Sequence, residues 1–279
     1  MQPFFSIITV AYNPGEKLKK TIESVQTQSF EDYEVIVKDG GSSDGSCDFL
    51  QEILTPEEQI TEEITSTVES CFRLIVCPDK GIYDAMNQGI AHARGKYLLF
   101  LNCGDYLADP EVLRQVASII GMEEKPAIYY GDTFSRKLHT EIASPPEINA
   151  FTCYRNVPCH QACIYEKSLF LDKQYDTSLS IRADYDHFLY CYFVRKAYMK
   201  YLSFPIVSYE GDGVSEQEEN QKLDHLEWQS VMRRYMSESE IRRYERYMRL
   251  TLVTLRKKMA ENKFFTGIYH EIKRIVYKR

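Results

Sequence analysis

The sequence predicts an α/β fold, a doubly wound sheet with helices on both faces. Two observations carry this. Short apolar β-rich runs alternate four times with segments of helical spacing. Carboxylates and glycines also gather just after the second and fourth runs, in Asp39-Gly40-Gly41-Ser42-Ser43-Asp44-Gly45 and Asn102-Cys103-Gly104-Asp105. An open α/β sheet binds its ligand beyond the carboxyl ends of its strands. Glycines let backbone approach that ligand, and acids suit ribose hydroxyls, base N–H groups or a hard cation. The pattern points to a protein that handles a nucleotide.

Each element follows from local chemistry. Phe5 to Tyr12 is the first β-rich run, broken by Asn13-Pro14-Gly15. Leu18, Ile22 and Val25 then recur at helical spacing. Tyr33 to Val37 is a second strand running into the acidic glycine turn. Cys47 to Leu54 starts a helix, with Thr55 to Glu69 as its polar continuation or a loop. Phe72 to Val76 is the third strand, ended by Pro78. Ile82 to Ala93 reads as a helix with Ile82, Ala85, Met86 and Ile90 on one side, stopped by Gly95. Tyr97 to Leu101 is the fourth strand, apolar enough to be central. Ala127 to Asp132, Ala162 to Tyr165 and Leu202 to Tyr209 read as later strands. From about Gln217 onward, Leu226, Val231, Tyr235, Ile241, Tyr244, Met248, Leu252 and Leu255 fall at helical intervals among arginines. The expected division is a catalytic body, 1–215, and a basic helical region, 216–279.

Composition narrows the class. The 279 residues are 44% hydrophobic and 13% aromatic, enough for a substantial core. The net charge of −7 is uneven. Val231 to Arg279 holds 14 Lys+Arg against 5 Asp+Glu, leaving 20 against 36 in residues 1–230. An acidic body argues against nucleic acid as a partner, while the basic end suits phosphate or an anionic membrane surface. Neither a secretory signal nor a membrane-spanning run is expected, so the expected location is cytoplasmic, extending to the inner face of the membrane. The eight cysteines contain no CxxC pair and read as reduced, small apolar side chains. Cys153, Cys159, His160 and Cys163 can be drawn as a zinc site, but their spacing matches no standard knuckle.

Six segments in order make the reading specific: Ser6 to Asn13, DGGSSDGS from Asp39, DKGIYDAMNQGIAHARGKY from Asp79, FLNCGD from Phe100, HQACIY from His160 and ADYD from Ala183. Together they resemble the family 2 glycosyltransferases over roughly residues 4–215. The resemblance implies a GT-A fold, a Rossmann-like mixed sheet flanked by helices, and sugar transfer from a nucleotide donor with inversion at the anomeric carbon. It implies substrate binding by Thr9, Ala11, Tyr12, Asp39, Asp79, Lys80, Asn87, Arg94, Asn102, Gly104 and His160, and a catalytic carboxylate at Asp184. A DxD-type motif would hold Mg²⁺ or Mn²⁺ against the donor diphosphate. Here Asn102 and Gly104 stand where acids are common, leaving Asp105 as the metal ligand.

The residues also carry bland readings. Asp39 and Asp44 can serve turn chemistry, and Asp44 can cap a following helix. Arg94 suits diphosphate, or a solvated helix end. On a helix Asp184 and Asp186 point to different sides, so one of them faces the cleft, and the resemblance to the family's catalytic carboxylate favours Asp184 as the base. His187 reads as an orienting or surface residue, and His160 as functional in its motif context. Gly211 to Ser215 resembles a loop that closes over the donor, or simply ends a domain. The expected function is an inverting transferase moving a sugar, from UDP by default, to a glycan or lipid-linked acceptor. The alternatives are a sugar nucleotidyltransferase and a non-catalytic nucleotide-sugar-binding protein. The basic amphipathic segment 262–279 would contact anionic membrane peripherally; the oligomeric state is open.

Overall fold

The computed structural model describes residues 2–53, 59–60, 71–120, 126–210 and 220–250. The expected lid at Gly211 to Ser215, the acidic stretch after Leu54 and the tail 262–279 lie essentially outside them. The described chain forms ten strands: β1 (Phe5–Ala11), β2 (Tyr33–Asp39), β3 (Gln59–Ile60), β4 (Phe72–Val76), β5 (Tyr97–Phe100), β6 (Tyr106–Leu107), β7 (Ala127–Ser135), β8 (Thr140–Ile142), β9 (Cys163–Glu166) and β10 (Tyr198–Tyr209). Its helices are α1 (Lys17–Gln26), α2 (Asp48–Ile53), α3 (Ile82–His92), α4 (Val112–Ile119), α5 (Ala150–Arg155), α6 (Ala183–Phe193), α7 (Gln221–Tyr235) and α8 (Glu238–Leu250). Two compact units result, Met1–Met232 and Arg233–Arg279.

The strands form one sheet in the order β3-β4-β2-β1-β5-β9-β7-β10-β6, with β8 beside β7. β3, β4, β2, β1 and β5 are parallel. β9 runs antiparallel between β5 and β7, and β6 antiparallel to β10, so the sheet is mixed. After β1 the chain builds outward through β2 and β4, then returns to place β5 on the other side of β1. That reversal opens a crevice beyond the carboxyl ends of β1 and β5, which defines the rim where the site forms.

Both faces are covered. Leu18, Ile22 and Val25 of α1, spaced as the sequence suggested, join Phe5, Ile7 and Ala11 of β1 and Val112, Leu113 and Val116 of α4 in one buried cluster. Each such side chain contributes roughly 1.5–3 kcal/mol of burial. The alternate residues of β1 face α3: a Cβ on Gly89 would lie 2.6 Å from Ile8 Cγ2. Further along that face, Phe100, Tyr165, Phe170 and Tyr175 pack edge to face.

Candidate active site

Three rim loops are stitched together by short polar side chains. Gly40 N–H donates to Ala11 O at 2.9 Å. Asn13 N–H donates to Ser42 Oγ at 2.8 Å, and Ser43 N–H to Asn13 Oδ1 at 2.8 Å. Asp44 accepts from Gly15 N at 3.1 Å and from Ser46, whose hydrogen bonds hold its carboxyl below the usual range. Asp44 therefore ties the turn to the first loop. Asp39 is buried, and accepts from Ser42 N at 3.0 Å and Ser42 Oγ at 2.6 Å. Its turn chemistry is real and uses part of its accepting capacity. Tyr12 stands 70% exposed on this floor. Gly40 must lack a side chain, since a Cβ would meet Asp79 Oδ2 at 2.7 Å and the Tyr12 ring at 3.3 Å.

Asp79 reaches the same rim, where Lys38 and a turn occupy its carboxylate. The fully buried ammonium of Lys38 donates to Asp79 Oδ2 at 2.9 Å, Cys77 O at 2.7 Å and Asp39 O at 3.1 Å. Gly81 N–H donates to its other oxygen at 3.1 Å. Lys80 is exposed, with its N–H on Asp84 Oδ2 at 2.9 Å.

The loop after β5 carries the metal candidate. Thr21 Oγ1 accepts from Gly104 N–H at 2.9 Å, and Arg136 donates to Gly104 O. Gly104 has φ +95°, a conformation that favours glycine. Asp105 is buried, and burial raises its pKa against the opposing pull of the Gln161 amide, His160, the Glu210 N–H and Arg136. Gln161 Nε2 donates to Asp105 Oδ2 at 3.1 Å. Asn102 Oδ1 is buried with no hydrogen-bond partner. Among the described residues, no three His, Cys, Asp or Glu side chains cluster as metal ligands, which leaves the zinc drawing without support.

The antiparallel course of β9 brings the residues preceding it, His160 and Gln161, to the rim. His160 Nδ1 lies 3.2 Å from Asp184 Oδ2, and its Nε2 faces Asn102 Nδ2 at 3.4 Å. The network assigns Nδ1–H to the carboxylate, leaving Nε2 to accept from the amide. Tyr83 Oη lies 3.0 Å from Asp184 Oδ1 and 2.6 Å from Ile181 O. Asp184 sits in the first turn of α6 with 24% of its side chain exposed. Burial would raise its pKa, yet His160, the Tyr185 N–H and Tyr83 together hold it below the usual carboxylate range. Asp186, by contrast, is fully buried and paired with Lys173 at 2.6 Å. His187 is neither surface nor rim: it stacks on Phe170 at 4.0 Å, and burial lowers its pKa to about 4.

Three of the expected substrate-binding residues have other surroundings in the structure. Arg94 lies at the opposite edge of the sheet. Its Nε donates to the buried Glu34 at 2.9 Å, beside Arg73, which donates to the same carboxylate at 2.6 Å. Glu34 is five residues before Asp39 on β2, roughly 16 Å along the strand. The reason is topological: α3 starts at the rim and runs back, so its carboxyl end must lie at the far edge. Asn87 spends both ends of its amide on the Tyr175 backbone, at 2.9 and 3.0 Å. Thr9 is fully buried, and its Oγ1 has no hydrogen-bond partner.

Sequence reasoning missed Lys38 and Glu34. The signal was present, because two charges at alternating positions of a strand between apolar residues must be paired.

The sequence model described as "Glycosyl transferase family 2" matches residues 6–170. A "PGL/p-HBAD biosynthesis glycosyltransferase" of Mycobacterium tuberculosis is 30% identical over 212 residues, 76% of this chain and 78% of its own. The Escherichia coli "UDP-Glc:alpha-D-GlcNAc-diphosphoundecaprenol beta-1,3-glucosyltransferase WfaP" is 29% identical over 159 residues, 55% of this chain and 57% of its own. Among solved structures, S. aureus TarS 1-349 matches with TM-score 0.59 and 18% identity, over 74% of this chain and 60% of that one. Its complex with UDP gives 0.62 and 17%, over 86% and 69%. The mannosyltransferase PcManGT from Pyrobaculum calidifontis, in complex with GDP-Man and Mn²⁺, gives 0.65 and 12%, over 100% and 89%. The mixed sheet with its flanking helices is the GT-A fold. The chain is a glycosyltransferase and belongs to glycosyl transferase family 2.

Proposed function

We propose that the enzyme transfers a sugar, with inversion, from a UDP-sugar to a hydroxyl of a glycan or lipid-linked saccharide in surface polysaccharide or glycolipid synthesis. The observation that carries this reading is the partly open Asp184 carboxylate, aimed by His160 and Tyr83. Inversion needs a base on the acceptor side, and Asp184 accepts the acceptor proton as the new bond forms. His160 holds Oδ2, the Tyr83 hydroxyl lies against Oδ1 while shared with Ile181 O, and the lowered pKa keeps the carboxylate ionised at neutral pH. The UDP-Glc donor and diphosphoundecaprenol acceptor in the name of WfaP, and the UDP complex of TarS, support the donor and acceptor classes.

Tyr12, Ala11 and Asp39 are the nucleotide floor, and Lys80 and Gly104 line the same rim. Mg²⁺ or Mn²⁺ would be held by Asp105, with the orphaned Oδ1 of Asn102 on the same loop as a second oxygen. With one carboxylate, phosphate oxygens and water would complete the shell. When bound, the ion offsets charge developing on the leaving diphosphate. The Mn²⁺ in the PcManGT complex supports this assignment. Residues 1–215 form the catalytic body in this reading. The basic segment 262–279 attaches the enzyme to anionic lipid, which salt-sensitive sedimentation with vesicles would test. No helix among the described residues is long and apolar enough to cross a membrane.

The deciding experiment measures release of UDP, GDP and dTDP across a nucleotide-sugar panel, with and without Mn²⁺. UDP release that depends on Mn²⁺ is expected. Release of GDP or dTDP alone overturns the donor assignment, and full activity in excess EDTA overturns the metal.

A further inference from the structure

Helix α7 lies beyond the span matched by the family model, yet two of its side chains grip the turn that delivers Asp184. Glu227 is buried and accepts three consecutive backbone N–H groups: Ser180 at 2.8 Å on Oε1, and Ile181 and Arg182 at 2.9 Å on Oε2. One turn earlier on α7, Asp224 pairs with the Arg182 guanidinium, its Oδ2 accepting from Nη2 at 2.7 Å and its Oδ1 lying 2.6 Å from Nε. Arg182 is the residue before α6 and makes no side-chain cap hydrogen bond, so the carboxylate of Glu227 adds to the negative charge that Asp184 and Asp186 already place at this helix amino end. The same turn is gripped from the other side. Ile181 donates to Glu227 and accepts, through its carbonyl, from Tyr83, whose hydroxyl also touches Asp184.

We infer that Glu227 and Asp224 are positioning residues of the transfer reaction, fixing the 180–182 turn so that Asp184 points at the acceptor hydroxyl. The assignment rests on Asp184 being the base. Neither residue touches substrate; both act through the backbone. A buried carboxylate with three N–H partners is costly to replace, because an amide presents a donor where the turn needs acceptors. α7 therefore serves the catalytic body from beyond its 1–215 bounds.

The test compares the full chain with Glu227→Gln, Asp224→Asn and Asp184→Asn, reading UDP release from UDP-glucose and UDP-GlcNAc against pH, and UDP binding by calorimetry. Glu227→Gln should lower kcat about tenfold or more while UDP affinity stays within about twofold. The acid limb of its kcat profile should move up by about half a pH unit, as Asp184 loses its aligned partners. Asp224→Asn should do the same at about threefold, and it carries the test if Glu227→Gln does not fold. An unmoved limb, or UDP affinity falling as far as kcat, would reduce the clamp to general packing and overturn the inference. A dead Asp184→Asn beside a normal Glu227→Gln sinks the clamp alone, whereas an active Asp184→Asn sinks the base reading with it.

Discussion

Asp184 and Asp186 are two residues apart in one helical turn and have unlike surroundings. Asp184 meets His160, Tyr83 and solvent, while Asp186 meets Lys173 in the interior. Asp184→Asn should cut turnover by about a hundredfold or more and leave UDP affinity nearly unchanged, since proton removal matters to the chemical step and not to donor binding. UDP release and calorimetry on one preparation read both quantities. Arg94 gives the opposite contrast. Its side chain is 43% exposed and bound to Glu34 at the far edge, so Arg94→Ala should leave the donor KM unmoved. Its stability cost should stay near 1 kcal/mol or below. A severalfold rise in KM would return it to the diphosphate.

At the scale of elements, β2 carries two separate polar anchors. Glu34 near its amino end accepts from Ser6 Oγ at 2.6 Å, Gly95 N–H at 3.1 Å, and both Arg73 and Arg94. Lys38 near its carboxyl end holds Cys77 O and Asp79 at the rim. Breaking a buried ion pair from one side strands its partner's charge. Glu34→Ala should therefore cost roughly 3–5 kcal/mol, seen as an early urea midpoint, while any folded fraction binds UDP normally. Equal stability with poor UDP binding would mean the far edge communicates with the rim. Both anchors were readable as charges inside an apolar strand. Their partners were not, because Arg73, Arg94 and Asp79 come from other elements brought alongside by the sheet.

For the molecule as a whole, His187 predicts how stability responds to acid. Its pKa is about 4 in the folded protein against 6.5 for a free side chain, because it is buried among Tyr165, Phe170 and Tyr175. Between these values the unfolded chain binds a proton that the folded chain refuses, so stability falls as pH drops from 6.5 toward 4. Between pH 7 and 5 this single group should remove on the order of 2 kcal/mol. His187→Gln should flatten the urea-midpoint slope over that range, and an unchanged slope would assign the acid sensitivity elsewhere. Such a loss matters to activity, because α6 carries both His187 and Asp184.

The sequence by itself determined the alternation of strands and helices, the buried stripe of α1 and the gathering of Asp39, Gly104 and Asp105 at strand ends. These depend on spacing of a few residues along the chain. It also favoured Asp184 over Asp186: helical geometry separates the two, and the resemblance to the family's motif chose between them. Tertiary structure decided what lies opposite what. That β9 runs antiparallel brings His160 beside Asp184 and Gln161 beside Asp105. That α3 runs back from the rim carries Arg94 away from it, and that α7 folds against the 180–182 turn puts Glu227 on the backbone just before Asp184. A contact between residues dozens of positions apart is set by the direction and packing of whole elements, and no local pattern of side chains encodes that direction.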